Sequence, residues 1–219
     1  ALGATLRPGT AATAIGAGRV TLRANGALEP LDAGAVVLAA GIDTHSLIPA
    51  LAVVPRKGHL VITDRYPGLV RHQLVELGYL HSAHTMTGAS TAFNVQPRAT
   101  GQLLIGSSRE LAGRDGAINR AIVREMLDRA VAFVPRLAGC QAIRTWTGFR
   151  PATPDKLPLI GAWPELSGVW IAAGHEGLGI TTATGTAALV AAGILGRPAP
   201  IDPAPFRPDR PMPAAEAAA

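Results

Sequence analysis

One cysteine, two lysines and nine aromatic residues are all that this 219-residue chain holds of those types. A lone Cys140 excludes a disulfide framework within the chain and any zinc site built on cysteines. It fits a reducing compartment. Three Trp, two Tyr and four Phe are too few for the stacked platforms that grip single-stranded nucleic acid. Lys57 and Lys156 are the two lysines; the eighteen arginines are scattered without a run, against fifteen Asp and Glu. A formal charge of +5 spread in this way is no footprint for nucleic acid. Hydrophobic residues at 48% and charged residues at 16% exclude general disorder and leave one large domain or two small ones. No basic-then-apolar signal segment opens the chain, and its start at Ala1 reads as that of a piece trimmed or cut from a longer reading frame.

Turn chemistry and apolar spacing place the elements. Residues 11–15, 19–22 and 35–40 read as short strands, with hairpin turns at 16–18 and at Asn25-Gly26. Gly16-x-Gly18 is no dinucleotide fingerprint, because the third glycine is missing and Arg19-Val20-Thr21 continues as a strand. Residues 51–63 read as a strand broken at Pro55, and 89–95 with 102–106 as a hairpin whose tip is 97–101. Ile118, Ile122, Met126, Ala130 and Val134 recur every fourth residue, which predicts an amphipathic helix over 117–134, ended by Pro135. Residues 143–149 and 169–173 are expected as strands, 174–179 as a glycine-rich turn and 180–195 as a buried helix. Residues 177–196 carry no charge and are long enough to span a bilayer. Their four threonines and five glycines favour instead a helix packed tightly on a sheet or cofactor.

The stretch 145–186 carries the most chemistry. An apolar strand running into Gly174, with a helix opening near Gly179, would present helix-start N–H groups that lack internal partners and carry partial positive charge. Gly174, Gly177 and Gly179 would let a planar ligand approach the backbone. The plainer reading is a strand–turn–helix junction with glycines for packing. Arg150 precedes Pro151 at a strand end, where the sheet is not expected to continue. It is placed either to clamp a carboxylate through a bidentate pair or to make a structural ion pair.

Three motifs stand in order: Trp146-x-Gly148-x-Arg150-Pro151, Thr153-Pro154-Asp155-x-Leu157-Pro158-x-Ile160-Gly161, and Gly174-His175-Glu176-Gly177-x-Gly179-Ile180-Thr181. Together they resemble the FAD-dependent amine and amino-acid oxidoreductases of the D-amino-acid oxidase type, the group of glycine oxidase and sarcosine oxidase. Val36-Val37-Leu38-Ala39-Ala40-Gly41 is similar to a flavin-contacting strand of that family. Pro55-Arg56-Lys57-Gly58-His59 and residues 96–106 are similar to its substrate-domain strands. Details lean toward bacterial dehydrogenase subunits acting on opines, D-hydroxyproline or glycine, the last on the hydrogen cyanide synthase branch. The resemblance runs from about Gly3 to Arg210. It implies a mixed α/β (α+β) fold: the C-terminal part of an FAD-binding Rossmann-like domain plus an antiparallel-sheet substrate domain, without the N-terminal βαβ dinucleotide unit. The implied divisions are 1–50 and 145–210 in the FAD-binding domain, 51–144 in the substrate domain, and a disordered tail at 211–219. No Gly-x-Gly-x-x-Gly is present, so the isolated chain is expected to bind FAD poorly and to be inactive.

The resemblance also implies roles. The backbone of His175, Gly177, Leu178, Gly179, Ile180 and Thr181, with Gly174 and Gly148, would face the flavin, and Ala11, Ala39, Ala40 and Gly41 would pass its adenosine end. Arg150 would grip the substrate carboxylate, with hydride transfer from Cα–H to flavin N5. Glu176 would either orient the substrate amine or cap the helix start, and Tyr79 would line the substrate pocket. Where some family members carry a further arginine, this chain has Gly177, which leaves the substrate open. Lys57 would lie near the flavin or, more plainly, in solvent. His81-x-x-His84 has metal-like spacing but no third ligand, so no metal is expected. Nothing visible activates Cys140. The implied partners are a small amino or imino acid and fellow subunits of a heteromeric dehydrogenase, with no nucleic acid and no transmembrane segment. The implied location is cytoplasmic, with peripheral inner-membrane association through an electron acceptor. The competing readings are a non-catalytic partner subunit, or an inactive remnant, that needs another chain for the nucleotide-binding half.

Overall fold

The structure is a computed structural model that describes residues 3–78 and 88–213. The strands are β1 (Thr10–Gly16), β2 (Arg19–Ala24), β3 (Ala27–Asp32), β4 (Val36–Leu38), β5 (Val54–Arg65), β6 (Leu74–Val75), β7 (Ser90–Pro97), β8 (Gln102–Arg109), β9 (Ala142–Ala152), β10 (Leu159–Ala162) and β11 (Val169–Ala173). The helices are α1 (Thr44–Leu47), α2 (Arg120–Phe133) and α3 (Gly179–Ile194). Packing divides the chain into two compact units, one formed by residues up to Val53 with Pro151–Pro213 and the other by Val54–Arg150.

The first unit holds two three-stranded sheets. In the antiparallel sheet β1-β2-β3, Asn25 (φ 50°) and Gly26 (φ 81°) form the two-residue turn with positive φ that matches strand twist. Strand β3 was not expected, because Glu29, Pro30 and Asp32 are poor strand formers. It forms as the outer strand, where Pro30 opposite Thr21 costs no further pairing. The other sheet has the order β10-β11-β4, with β11 antiparallel to β10 and parallel to β4. Alternation along β11 divides its side chains. Val169, Ile171 and Ala173 enter a core with Val36, Leu38, Leu51 and Trp163, while Trp170 and Ala172 pack beside Leu189 and Val190 of α3.

Helix α3 departs from the expectation of a buried helix. Only Thr186, Leu189, Val190 and Ala192 are buried, and Ile180 is 97% exposed. One face alone meets the sheet, and it comes close because Gly193 lies against the Trp170 ring, where a Cβ would be 2.3 Å from Cζ3. Residues Glu176–Ile194 are long and apolar enough to cross a membrane by length and composition.

The second unit is a five-stranded sheet, β6-β7-β8-β5-β9, covered by α2. Val61, Val95, Leu103 and Ile105 pack with Met126 and Ala130 of α2, and Phe93 stacks on Phe133 at 4.7 Å. Three expectations are corrected here. Pro55 does not break β5, which runs unbroken from Val54 to Arg65, and just after Pro55 the Lys57 N–H donates to the Glu110 carbonyl at 2.9 Å. Helix α2 begins at Arg120, because Asn119 caps it by accepting from the Ala121 and Ile122 N–H groups, leaving Ile118 outside and exposed. Strand β9 runs on through Arg150 and Pro151 to Ala152, which an edge strand tolerates.

In the first unit, Arg210 ties the C-terminal segment to the turn before β10. Its guanidinium makes a two-pronged pair with Asp155, Nε to Oδ2 at 2.6 Å and Nη2 to Oδ1 at 2.9 Å, and donates to the Leu157 and Pro158 carbonyls. Burial acts to raise the Asp155 pKa, but the Arg210 hydrogen bonds and charge, with the Leu157 N–H, hold it below the usual carboxylate range. A depressed carboxyl stabilises the fold above the unfolded value, near 3.9, and loses that contribution as pH falls through the folded one. Asp155→Asn is therefore expected to cost about 1–3 kcal/mol at pH 7. Thermal unfolding as a function of pH checks this, with the gap to the wild type closing below about pH 4.

Candidate active site

Parallel pairing of Val36–Leu38 with Val169–Ile171 brings the carboxyl ends of β4 and β11 side by side. Ligands of open α/β sheets bind beyond those ends. Past β4 come Ala39, Ala40 and Gly41, whose φ of +58° turns the chain into a 3-10 turn, Gly41–Asp43. Past β11 comes Gly174, at φ +78°, where a Cβ would lie 2.5 Å from Thr153 Cγ2. A second 3-10 turn, Glu176–Leu178, then leads into α3, whose start has no side-chain cap.

An open groove of about 470 Å³ lies along α3 and is lined by Val37, Ala39, His175, Gly179, Ala183 and Ala187 among others. His175 Nε2 is 2.9 Å from Thr186 Oγ1 on α3, and burial lowers the imidazole pKa, so the ring is neutral at pH 7. Small side chains on both walls and an uncapped helix start suit a flat, electron-rich ring system. These residues fit an FAD group.

Of the sequence-predicted residues, Ala39, Ala40 and Gly41 are thus brought beside Gly174, and Ala39, His175 and Gly179 share one groove. Gly177, Leu178, Ile180 and Thr181 are exposed on the turn and first helical residues. Ala11 is exposed on β1, in the other sheet of this unit. Glu176 does not cap α3. Its backbone is left-handed, at φ +48°, and its carboxylate accepts from the next N–H, that of Gly177, at 2.5 Å.

Gly148 and Arg150 stand on β9 of the second unit. Arg150 is half-buried, and its Nη1 donates to the Ser108 carbonyl at 3.0 Å. Lys57, expected in solvent, is buried, because Glu110 Oε1 at 2.9 Å and the Ala117 carbonyl at 3.1 Å receive its ammonium. Beside it His59 is fully buried and bonded to Ser108 and Asn119. Burial pushes the His59 pKa below the ordinary imidazole value; Glu110 opposes that and Lys57 adds to it. Burial pushes the Cys140 thiol up, with Arg136 opposing, which leaves it unactivated. Tyr79, His81 and His84 lie outside the described residues. Among the described residues no group of three or more His, Cys, Asp or Glu is placed to hold a metal.

Gly58, His59 and Thr153 stood in the motifs without a site role, and Ser108 was not singled out from sequence. A signal was present: Arg56-Lys57-Gly58-His59 puts three basic residues directly before the apolar Leu60-Val61-Ile62. A strand of that composition must satisfy buried charge somewhere.

A parallel strand pair opening onto a glycine turn and helix start defines a cofactor-binding α/β protein with an added antiparallel sheet. Comparison with known proteins narrows the class: the family model of FAD dependent oxidoreductases matches residues 1–192, and the chain belongs to that family. It is 30% identical to glycine oxidase of Pseudomonas aeruginosa over 177 residues, 79% of this chain and 45% of that protein. It is 34% identical to hydrogen cyanide synthase subunit HcnC of the same organism over 171 residues, 77% of this chain and 38% of that protein. The crystal structure of glycine oxidase from Geobacillus kaustophilus superposes with a TM-score of 0.76 at 28% identity, covering 93% of this chain and 53% of that one. The chain thus spans about half the length, or less, of the relatives it matches.

Gly174→Ala would combine left-handed backbone strain of about 1–2 kcal/mol with the Thr153 Cγ2 contact. A fall in Tm of about 2–4 °C per kcal/mol is expected. Adding Thr153→Ser, which keeps the hydroxyl bond to the Leu157 carbonyl but removes Cγ2, should recover the contact part and leave the backbone part.

Proposed function

We propose that this chain supplies the substrate-holding and flavin-facing parts of an FAD-dependent enzyme that oxidises the C–N bond of a small amino or imino acid. Glycine, a D-amino acid, hydroxyproline and an opine are the candidate substrates. The observation that carries the reading is Arg150, held on β9 by the Ser108 carbonyl in a chain of the FAD-dependent oxidoreductase family. A planar guanidinium offers a two-pronged grip to a carboxylate.

Arg150 binds the carboxylate and so orients the Cα–H of the substrate. When bound, FAD supplies the two-electron acceptor, N5, that receives the hydride. The nitrogen lone pair forms the C=N bond as the hydride leaves, and loss of a proton gives an imine, which water hydrolyses to the oxo acid and ammonia or an amine. The turn from Gly174 to Thr181 would hold the flavin, with the α3 start favouring negative charge there. Glu176 orients the substrate amine, and Tyr79 lines the pocket. Ala11, Ala39, Ala40 and Gly41 would contribute to holding the adenosine end of FAD, and Gly148 to holding the flavin.

The exposed Leu178 and Ile180, with Val37 on the open edge of β4, support a further inference: FAD is held only when a dinucleotide-binding unit outside these 219 residues covers this face. The isolated chain is then inactive. That unit belongs to the same polypeptide or to a partner subunit. The place of action is the cytoplasm, with electrons passing to an acceptor at the inner membrane.

Two measurements check these readings. Titrating FAD into the 219-residue chain should leave its absorbance that of free flavin, while addition of a separately expressed strand–Gly-x-Gly-x-x-Gly–helix unit should give the shifted, structured spectrum of bound flavin. Tight FAD binding by the chain alone refutes the need for that unit. In the FAD-loaded protein, Arg150→Leu should raise KM for the best amino-acid substrate about 100-fold, the loss of a charge-assisted two-pronged pair. An unchanged KM removes Arg150 from the substrate site.

A further inference from the structure

We infer that Ser108 and His59 are positioning residues that aim Arg150, reaching it across an intervening strand through a gap left by Gly58. The inference rests on the reading of Arg150 as the carboxylate-binding group.

The sheet order β8-β5-β9 puts β5 between the strand of Arg150 and the strand of Ser108. An arginine on β9 therefore meets a β8 carbonyl only by crossing β5. It does so at Gly58. A Cβ there would lie 2.4 Å from Arg150 Nη1, 2.9 Å from its Cζ and 2.8 Å from the Ser108 carbonyl oxygen. No side chain other than hydrogen leaves room for this crossing.

The far end of the crossing is itself fixed. Ser108 is fully buried, and its Oγ accepts twice from one residue, from the His59 backbone N–H at 2.9 Å and from the His59 ring at Nδ1, also 2.9 Å. The ring is fixed in turn by Asn119, whose backbone N–H donates to Nε2 at 3.0 Å. A backbone N–H only donates, so Nε2 carries the lone pair and Nδ1 carries the proton. The direction of every bond follows: Asn119 N–H to His59 Nε2, His59 Nδ1–H to Ser108 Oγ, and Arg150 Nη1–H to the Ser108 carbonyl. Asn119 also caps α2, so the start of that helix is the anchor of the chain of bonds. None of Gly58, His59 and Ser108 needs to touch substrate. They set where the guanidinium points.

The test uses the FAD-loaded protein and three readouts. The first is KM and kcat for whichever of glycine, D-alanine or D-proline is oxidised fastest. The second is the inhibition constant of acetate, a bare carboxylate. The third is KM for methylamine, which has no carboxylate. Ser108→Ala and His59→Leu are each expected to raise the amino-acid KM and the acetate constant about tenfold, the scale of a sub-ångström misplacement of a gripping group. They should leave kcat within about threefold and the methylamine KM unchanged. His59→Asn, whose amide N–H stands near the place of Nδ1–H, should recover most of the loss.

A purely structural role would weaken the amino acid and methylamine alike, and that result overturns the inference. So does an unchanged acetate constant in Ser108→Ala while Arg150→Leu raises it. If Arg150→Leu also changes nothing, the reading of Arg150 has failed, not the aiming. Should His59→Leu fail to fold, Ser108→Ala carries the kinetics. Nitrogen-15 NMR of the unsubstituted protein carries the geometry: a neutral His59 with its proton on Nδ1 is expected, and a proton on Nε2 overturns the chain of bonds.

Discussion

Val36–Leu38 and Val169–Ile171 lie side by side and run the same way, although well over a hundred residues separate them in sequence. Parallel strands need a long crossover, and here the whole second unit is inserted within it. Everything proposed for the flavin side depends on this pairing. Reverse one strand and the Ala39–Gly41 bend would leave by the opposite edge from Gly174. With both strands parallel, two bends and one helix start meet at the same edge. The small residues Ala39, Gly179, Ala183 and Ala187 then leave an apolar trough that no side chain of the described residues fills.

The second unit solves a different problem, that of keeping basic groups inside a sheet. Arg56, Lys57, His59 and Arg109 are each no more than 2% exposed. Burial of so much positive character is costly unless each group has a partner. Lys57 meets Glu110 and a carbonyl, and His59 is neutral and bonded at both nitrogens. The same partners hold down both ends of the loop between β8 and α2. Glu110 stands at its beginning, and Ala117 and Asn119 at its end. Thr147 of β9 adds a bond to the Gly116 carbonyl. The polar interior of this unit is thus also what shapes the connection from β8 to α2.

Much of this was legible in the chain of letters. Val169–Ala173 matched its strand to the residue, and Asn25-Gly26 made its hairpin, because local patterns of apolar residues and turn residues act at short range. The four-residue spacing found the buried face of α2 through Ile122, Met126 and Ala130, but not its start, which Asn119 decides by a side-chain bond. Strand β3 escaped because its residues are poor strand formers and only pairing makes them extended. The motifs from Trp146 to Thr181 pointed to a flavoenzyme, and the family match agrees. What sequence did not disclose is cross-strand: no local pattern tells that Gly58 leaves a passage for Arg150, or that Lys57 faces Glu110 and not water. Those facts depend on which strands are neighbours.

The burial of Lys57 has a practical side. Only two lysines occur in the chain, and the second, Lys156, sits exposed in the turn before β10 at φ +66°. The buried ammonium, ion-paired with Glu110, is closed to acylating reagents. Among the side chains of this segment, amine-directed coupling therefore addresses Lys156 alone. A side-chain linkage made through that chemistry attaches on the turn whose neighbouring Asp155 anchors the C-terminal segment.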